Sequence, residues 1–412
     1  MSTAVSPTRP RTPSRVRVRD RDRAPGAPPP PLPEPTPRTP GGRIRAVLAP
    51  PLAVYAVAAG LHLLLLALMD PGDGPGLHAR LLSWDAGLYV EIARDGYPDS
   101  FTYTSEGELT GNNLAFFPAY PALVAALHTV TGLDHTTTAV LAAHLSLLAA
   151  LTAVHRLLTR LYDRCTATVA AVLLACAQPM SLVFFMGYSE SLFLAFAAAT
   201  LLAAHRKAWL TSGVLAMLAG LTRPAAAAVA AALAVAVVLH AVRARRIGRR
   251  PLAALVLAAS GTPAYLWWVG HRLGRPDAWS TVQEAGWGTH WDNGRSFVAF
   301  LRDTLHRSGD WVPVSTAVLL LLLLAATAAA WQRTTWPPLL VYGTGILVLT
   351  LGQSNYFHCK LRLVAPALLF LVPAARALAR CRPRTTVLAL VTAALFGCWY
   401  GAYMLTAWHY TI

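Results

Sequence analysis

Charge is what this chain of 412 residues has least of. Only 13% of its residues are Asp, Glu, Lys or Arg, while 55% are hydrophobic. A soluble domain carries about 25% charged residues, so the shortfall argues against a water-facing surface of ordinary extent. Lysine is nearly missing, with Lys207 and Lys360 standing against 33 arginines. Cysteine is sparse and scattered, at 165, 176, 359, 381 and 398. No CxxC or metal-type spacing links them, so a disulfide framework or a zinc site is not indicated. Cys165, Cys176 and Cys398 lie in or beside apolar runs, where a small buried hydrophobe is the simpler role. A Gly-rich phosphate loop, an HExxH pair, a Ser-His-Asp order and an ATP-binding motif are all missing.

What the chain does have is long apolar runs along most of its length, many near the roughly 20 residues that cross a bilayer. The net charge of +16 comes from arginines in the N-terminal tail and in short loops between those runs. That placement follows the positive-inside rule and does not describe a nucleic-acid groove. Residues 1–43 are rich in Pro, Arg, Ser and Thr, lack apolar periodicity, and are expected to form a disordered tail ahead of a membrane domain at 44–412. The first apolar run has the length of a span and not that of a signal-peptide core. With the basic tail before it, it should run from the cytoplasm outward.

The expected fold is all-α and polytopic, with eleven spans at 46–68, 138–158, 166–186, 189–204, 208–221, 225–242, 252–271, 312–330, 337–352, 361–378 and 386–408. A twelfth run, 117–131, is best placed as an interfacial or re-entrant helix. If it crossed, the basic clusters at 156–164, 243–250 and 376–384 would all face outward, against the charge rule. If it does not cross, all three face the cytoplasm. The loops then expected outside are 69–137, the junctions near 187 and 223, 272–311 and 353–360, and they hold nearly all the distinctive polar residues.

Asp85, preceded by Trp84, leads these candidates. A carboxylate just beyond a span is costly near lipid unless a site uses it, although Asp also caps helices. Glu91 and Asp95 are four residues apart with Arg94 between, a pattern that suits a surface helix. Asn112 and Asn113 open an amide- and aromatic-rich turn ending in Pro121, suited equally to an interfacial belt and to sugar hydroxyls. Tyr188 and Glu190 join two apolar runs, and Ser189 or Ser191 could cap the second. Arg223, before Pro224, is a cation on the face that otherwise avoids them, and a guanidinium near a helix start can hold phosphate. His358, Lys360 and Arg362 form a second cationic group that could hold an anion. Gln283, Glu284, Trp287, His290, Trp291 and Asp292 populate the 272–311 loop, where Trp faces suit sugar rings and lipid interfaces alike.

Four motifs in order carry a resemblance: Trp84-Asp85, Phe116-Phe117-Pro118 with Tyr120-Pro121, Gly187-Tyr188-Ser189-Glu190-Ser191-Leu192-Phe193, and Arg223. Together they resemble the GPI mannosyltransferase II family of the PIG-V type, within the GT-C class of glycosyltransferases, over residues 46–375. Where that family often continues the Arg with Ser or Asn and Gly, this chain has Pro224-Ala225. The resemblance implies a multi-pass cell-membrane enzyme with its site on the extracytoplasmic face. It implies inverting transfer of mannose from polyprenyl-phosphate mannose, with Asp85 as base and Arg223, joined by Lys360 or Arg362, stabilising the leaving phosphate. Neither a cofactor nor a nucleic-acid partner is implied. No Asp-x-Asp pair surrounds Asp85, so metal dependence is not suggested. The Arg- and Ala-rich usage looks like that of a high-GC bacterium, where GPI anchors are not expected, and the acceptor stays open. Two other readings compete: a transporter or flippase for a lipid-linked sugar, and a non-catalytic membrane partner of a transferase. The chain shows no clear internal repeat of the kind many transporters carry.

Overall fold

The computed structural model describes residues 40–307, 309–334 and 336–408, with side chains from Val47 onward. The expected tail, 1–43, lies outside the described residues except for the start of the first helix. That helix, α1 (Pro40–Met69), is uniformly apolar from Val47 onward. It leads into a long folded loop. The loop contains α2 (Leu77–Leu81), α3 (Asp85–Asp95) and a small hairpin of β1 (Thr102–Tyr103) and β2 (Leu109–Thr110), in which Thr102 faces Thr110. A 3-10 turn at Asn113–Ala115 and α4 (Ala119–Thr131) complete it. Asp134 then caps α5 (His135–Leu161) by accepting from the amides of Thr136 and Thr137. Asp163 caps α6 (Arg164–Val172) in the same way, as is usual where Asp precedes a helix.

From there the chain is almost entirely helical. Its elements are α7 (Glu190–His205), α8 (Trp209–Gly220), α9 (Ala226–Ala244), α10 (Arg249–Leu273) and α11 (Ala278–Trp287), then β3 (His290–Trp291), α12 (Arg295–Arg307), α13 (Trp311–Arg333) and α14 (Pro337–Leu351). The last part holds β4 (Gln353–Ser354), α15 (Lys360–Val364), α16 (Leu371–Leu378) and α17 (Pro383–Thr406).

The protein is a multi-pass membrane protein. Among the described residues six helices, α1, α5, α9, α10, α13 and α17, are long and apolar enough to cross a bilayer. A seventh is formed if Phe357–Ala367 and α16, bent by 57° at a short break, count as one span. The eleven spans expected from the sequence are therefore not all met by length. The segment expected at 166–186 is α6, a π-helical turn at Leu173–Ala177, and a separate 3-10 turn at Ser181–Phe185. α7 has 16 residues, and at about 1.5 Å per residue falls short of a 30 Å hydrocarbon layer. Nearly all of α7 is buried in protein. Its apolar sequence reflects the core of the bundle, and a hydropathy reading cannot tell that from lipid. The run 117–131, expected not to cross, forms the 13-residue α4.

Packing within the bundle depends on small residues. α8 lies along α10 with Gly213 against Ala254, where an added Cβ would sit 2.6 Å from the Ala254 Cα. A Cβ on Gly261 of α10 would come within 2.2 Å of the Met217 carbonyl. Such approaches let helix backbones touch, the usual basis of association inside membranes.

Two further ties fix the loops. The pair β3–β4 sets His290 opposite Ser354 and Trp291 opposite Gln353, joining the segment after α11 to the segment after α14. The carbonyls of residues 114–116 form the second tie. Tyr265 of α10 donates to Leu114 O at 3.1 Å and Phe116 O at 2.7 Å, Tyr97 donates to Phe116 O, and Trp279 and Gln283 of α11 both donate to Ala115 O.

Candidate active site

The turn into α3 is strained. Trp84 has φ 61° and ψ −127°, a conformation that L side chains rarely adopt. It stands at the cap position and makes no side-chain cap bond, so Asp85 is the first residue of α3 and not its cap. The carboxylate of Asp85 instead reaches the far end of the chain, where its Oδ2 accepts from Arg362 Nη1 at 3.0 Å. Among the described residues no hydrogen bond reaches Oδ1.

The charges then alternate. Arg362 Nε lies 3.5 Å from Glu190 Oε1, and the same oxygen lies 2.6 Å from Arg223 Nη1. Neither contact has hydrogen-bond alignment, so both are ion pairs without that directionality. Arg223 Nη1 also donates to Ser189 Oγ at 3.2 Å, and Ser189 Oγ meets the Tyr89 hydroxyl at 2.7 Å. The Arg362 guanidinium lies over the Tyr188 ring at 5.2 Å, and Tyr188 in turn donates to Ser83 O. Glu190 is fully buried, Arg362 nearly so, and the side chains of Asp85 and Arg223 are 15% and 16% exposed. Burial pushes the Tyr89 phenol up to about 12, with Arg223 pulling it down and Glu190 pushing it up, so it stays protonated at physiological pH.

Asp85, Tyr89, Tyr188, Arg223 and Arg362 line one cleft of about 1150 Å³, mouth included. Apolar lining comes from Phe193, Pro224, Ala225, Leu349, Leu363 and Pro366. The opposite wall is Trp279, Gln283, Trp287 and Thr289 with Gln353, Asn355 and Tyr356. α11 is held close to this site by a glycine crossing. A Cβ on Gly111 would lie 2.5 Å from the Gly286 Cα, and one on Gly286 would lie 2.7 Å from the Gly111 Cα.

The candidates named from sequence thus separate. Asp85, Tyr188, Arg223 and Arg362 come together in the cleft, with Glu190 directly beneath. Gln283 and Trp287 of the 272–311 loop stand on its opposite wall, and the candidates named next lie outside its lining. Trp84 is 54% exposed and shapes the turn. Asn112 accepts from Leu114 N and donates to Ser100 O and Thr102 Oγ1, which builds the loop. Asn113 donates to Glu91. Lys360 has its ammonium engaged by Thr350 O, Gln353 O and Asn355 Oδ1, so the expected anion ligand instead pins the 353–355 segment. His358 stacks on Tyr356 and meets Phe357 edge to face. Arg94 pairs with exposed Asp95, a surface arrangement. The expected helix start at Pro224 is a turn in which Ala226 N bonds to Arg223 O, and α9 begins at Ala226. Tyr89 and Asn355 were not singled out by sequence. Tyr89 carried a usable signal, since it follows Asp85 by four residues and so shares its helix face.

No protein-family model matches this chain, and no curated protein does. Solved structures do. ArnT from Cupriavidus metallidurans, in a crystal structure with undecaprenyl phosphate bound, aligns with TM-score 0.50 and 17% identity over 83% of this chain and 62% of that one. The Archaeoglobus fulgidus oligosaccharyltransferase in its apo form aligns with TM-score 0.52 and 14% identity over 87% of this chain and 56% of that one. The chain spans less than two thirds of either protein. The fold of this chain is the GT-C-like, all-α membrane fold that it shares with these structures.

Proposed function

We propose that this protein is a glycosyltransferase that moves a sugar from a polyprenyl phosphate to an acceptor hydroxyl. The motif resemblance makes that sugar mannose. The observation that carries the reading is the run Asp85, Arg362, Glu190, Arg223 along a cleft in a GT-C fold. The acceptor oxygen attacks the anomeric carbon as the bond from that carbon to the phosphate oxygen breaks, and the electron pair leaves with the phosphate. Asp85, with Oδ1 open, takes the acceptor proton. Arg223 and Arg362 stabilise the charge that develops on the departing phosphate. The apolar stretch from Phe193 to Pro366 suits the first isoprene units of the lipid.

The cleft belongs on the extracytoplasmic face of the cell membrane. Arg223 to Ala225 stand just before α9, and the exposed arginines 243, 245 and 246 stand at its other end, 19 residues on. By the positive-inside rule the arginine end faces the cytoplasm. Cysteine introduced at Glu106 should react with an impermeant thiol reagent on intact cells, and cysteine at Ile247 should not, once exposed Cys165 and Cys381 are changed to Ser. The reverse pattern would invert the topology. Activity is tested with purified protein, polyprenyl-phosphate mannose and a membrane lipid extract. Mannose should pass to an extract component, and a deletion strain should lose the same glycan by mass spectrometry. An intact glycan profile and no transfer would reject the reading.

A further inference from the structure

Glu190 is the one charged group of the site that no substrate can touch. Its carboxylate is fully buried beneath the cleft, and neither oxygen has an aligned hydrogen bond. A buried carboxylate of that kind carries a large desolvation cost, which a purely structural anchor could avoid with a neutral amide. Its two neighbours are the two arginines that face the cleft. It stands within 3.5 Å of the guanidinium that also holds Asp85.

We propose that Glu190 is a positioning residue that competes with Asp85 for Arg362, keeping Asp85 basic enough to accept a proton and keeping the arginine pair from holding the donor phosphate too tightly before reaction. The inference rests on the glycosyl-transfer reading and deepens it. Asp85 interacts with Arg362 and Cys359 from the 357–364 segment, with Tyr188 just before α7 and with Tyr89 on its own helix, and Glu190 and then Arg223 follow beyond Arg362. Two carboxylates balance two guanidiniums. Neutralising Glu190 leaves one uncompensated positive charge. Arg362 then binds Asp85 alone, which makes Asp85 a weaker base. Both arginines then attract the anionic donor more strongly in the ground state. Binding gained equally in the ground state does nothing for the chemical step, and gained there alone it slows that step.

The test is Glu190→Gln in the full-length protein in detergent micelles, with Glu190→Asp beside it. The expected result is a split that packing damage would not give. For Glu190→Gln the donor KM falls while kcat falls about tenfold, and the acidic limb of the pH–rate profile moves down by about one pH unit. Glu190→Asp, which keeps the charge but retracts it, loses less of kcat and moves the limb by less than Glu190→Gln does. Direct binding of undecaprenyl phosphate, followed by native mass spectrometry, should tighten by about tenfold to a hundredfold in Glu190→Gln, the effect of one charge a few ångströms away in a partly screened site. This binding arm stands without turnover, so a protein that transfers nothing rejects the glycosyl-transfer reading and still shows whether Glu190 restrains phosphate binding. Weaker or unchanged phosphate binding in a Glu190→Gln protein that melts like wild type overturns the proposal. If Glu190→Gln does not fold, Glu190→Asp decides. Retracting the carboxylate by one methylene should tighten phosphate binding partway, and unchanged binding would overturn it.

Discussion

On the side of α3, α15 and the turn before α9 the cleft presents one carboxylate and two guanidiniums, with Glu190 buried beneath them. On the side of α11 and the 353–356 segment it presents two indoles, three amides, a hydroxyl and a phenol, with no charge at all. The second wall is not short of charged residues in its sequence. Lys360 is turned inward onto Thr350 O, Gln353 O and Asn355. Asp292 accepts from the amides of Gly294 and Ser296 at the start of α12. Glu284 leans toward His290 in solvent. A cation near a site is therefore no guide to its use; what its donors already hold decides whether it can meet a substrate. Arg223 and Arg362 keep donors toward the cleft, and Lys360 does not.

The sharpest way to break this division is to neutralise the base on the charged wall. Asp85→Asn keeps the shape and should cut transfer by about 10²–10⁴-fold with a near-normal melting temperature, since that is the usual contribution of general-base catalysis. Unchanged turnover would remove Asp85 from the chemistry. Next, Arg223→Ala should weaken donor use by about 1.5–3 kcal/mol and leave acceptor KM nearly in place, while Arg223→Lys recovers only part because the planar fork is lost. Equal effects on both substrates would mean that Arg223 supports the whole cleft and does not single out the phosphate.

A smaller effect should come from the neutral wall. Gly286→Ala puts a methyl against the backbone of Gly111 and should push α11 outward, at about 1–3 kcal/mol of stability, with acceptor KM raised and donor KM little changed. A rise in donor KM instead would show that the two walls do not divide the substrates. The smallest change expected is at Trp84→Gly. Removing a side chain from a positive-φ position should raise stability by about 1 kcal/mol, read as a higher melting temperature. A lower melting temperature would show that the half-exposed indole, and not the backbone, sets the turn.

Much of the helical pattern was legible because apolar runs and arginine clusters are local signals. Nine of the eleven expected spans fall on a single helix, and those at 166–186 and 361–378 fall on helical pieces separated by breaks. The lengths were less legible, since α7 and α8 are as apolar as spans yet are short, and α7 is enclosed by protein. At the site, Asp85, Tyr188, Glu190, Arg223 and Arg362 stood out by residue type beside apolar runs. Their pairing did not, because Asp85 and Arg362 are 277 positions apart and only the closed fold brings them within 3.0 Å. Asn112, Asn113 and Lys360 stand out for their polarity, but that polarity is used by loop backbone groups for Asn112 and Lys360 and by the Glu91 carboxylate for Asn113. No spacing rule distinguishes a side chain that binds its own loop from one left to bind a ligand.

The ion pair between Asp85 and Arg362 bears on how charge travels during the proposed reaction. When Asp85 takes the acceptor proton its negative charge disappears, and a negative charge appears on the lipid phosphate that leaves. Arg362 touches the place where the first vanishes and faces the cleft where the second arises. The total charge enclosed by the site is therefore the same before and after transfer, and what changes is only which anion the guanidinium faces. A low-dielectric cleft under a membrane protein's loops opposes any net change of charge, and this arrangement converts such a change into a migration over a few ångströms.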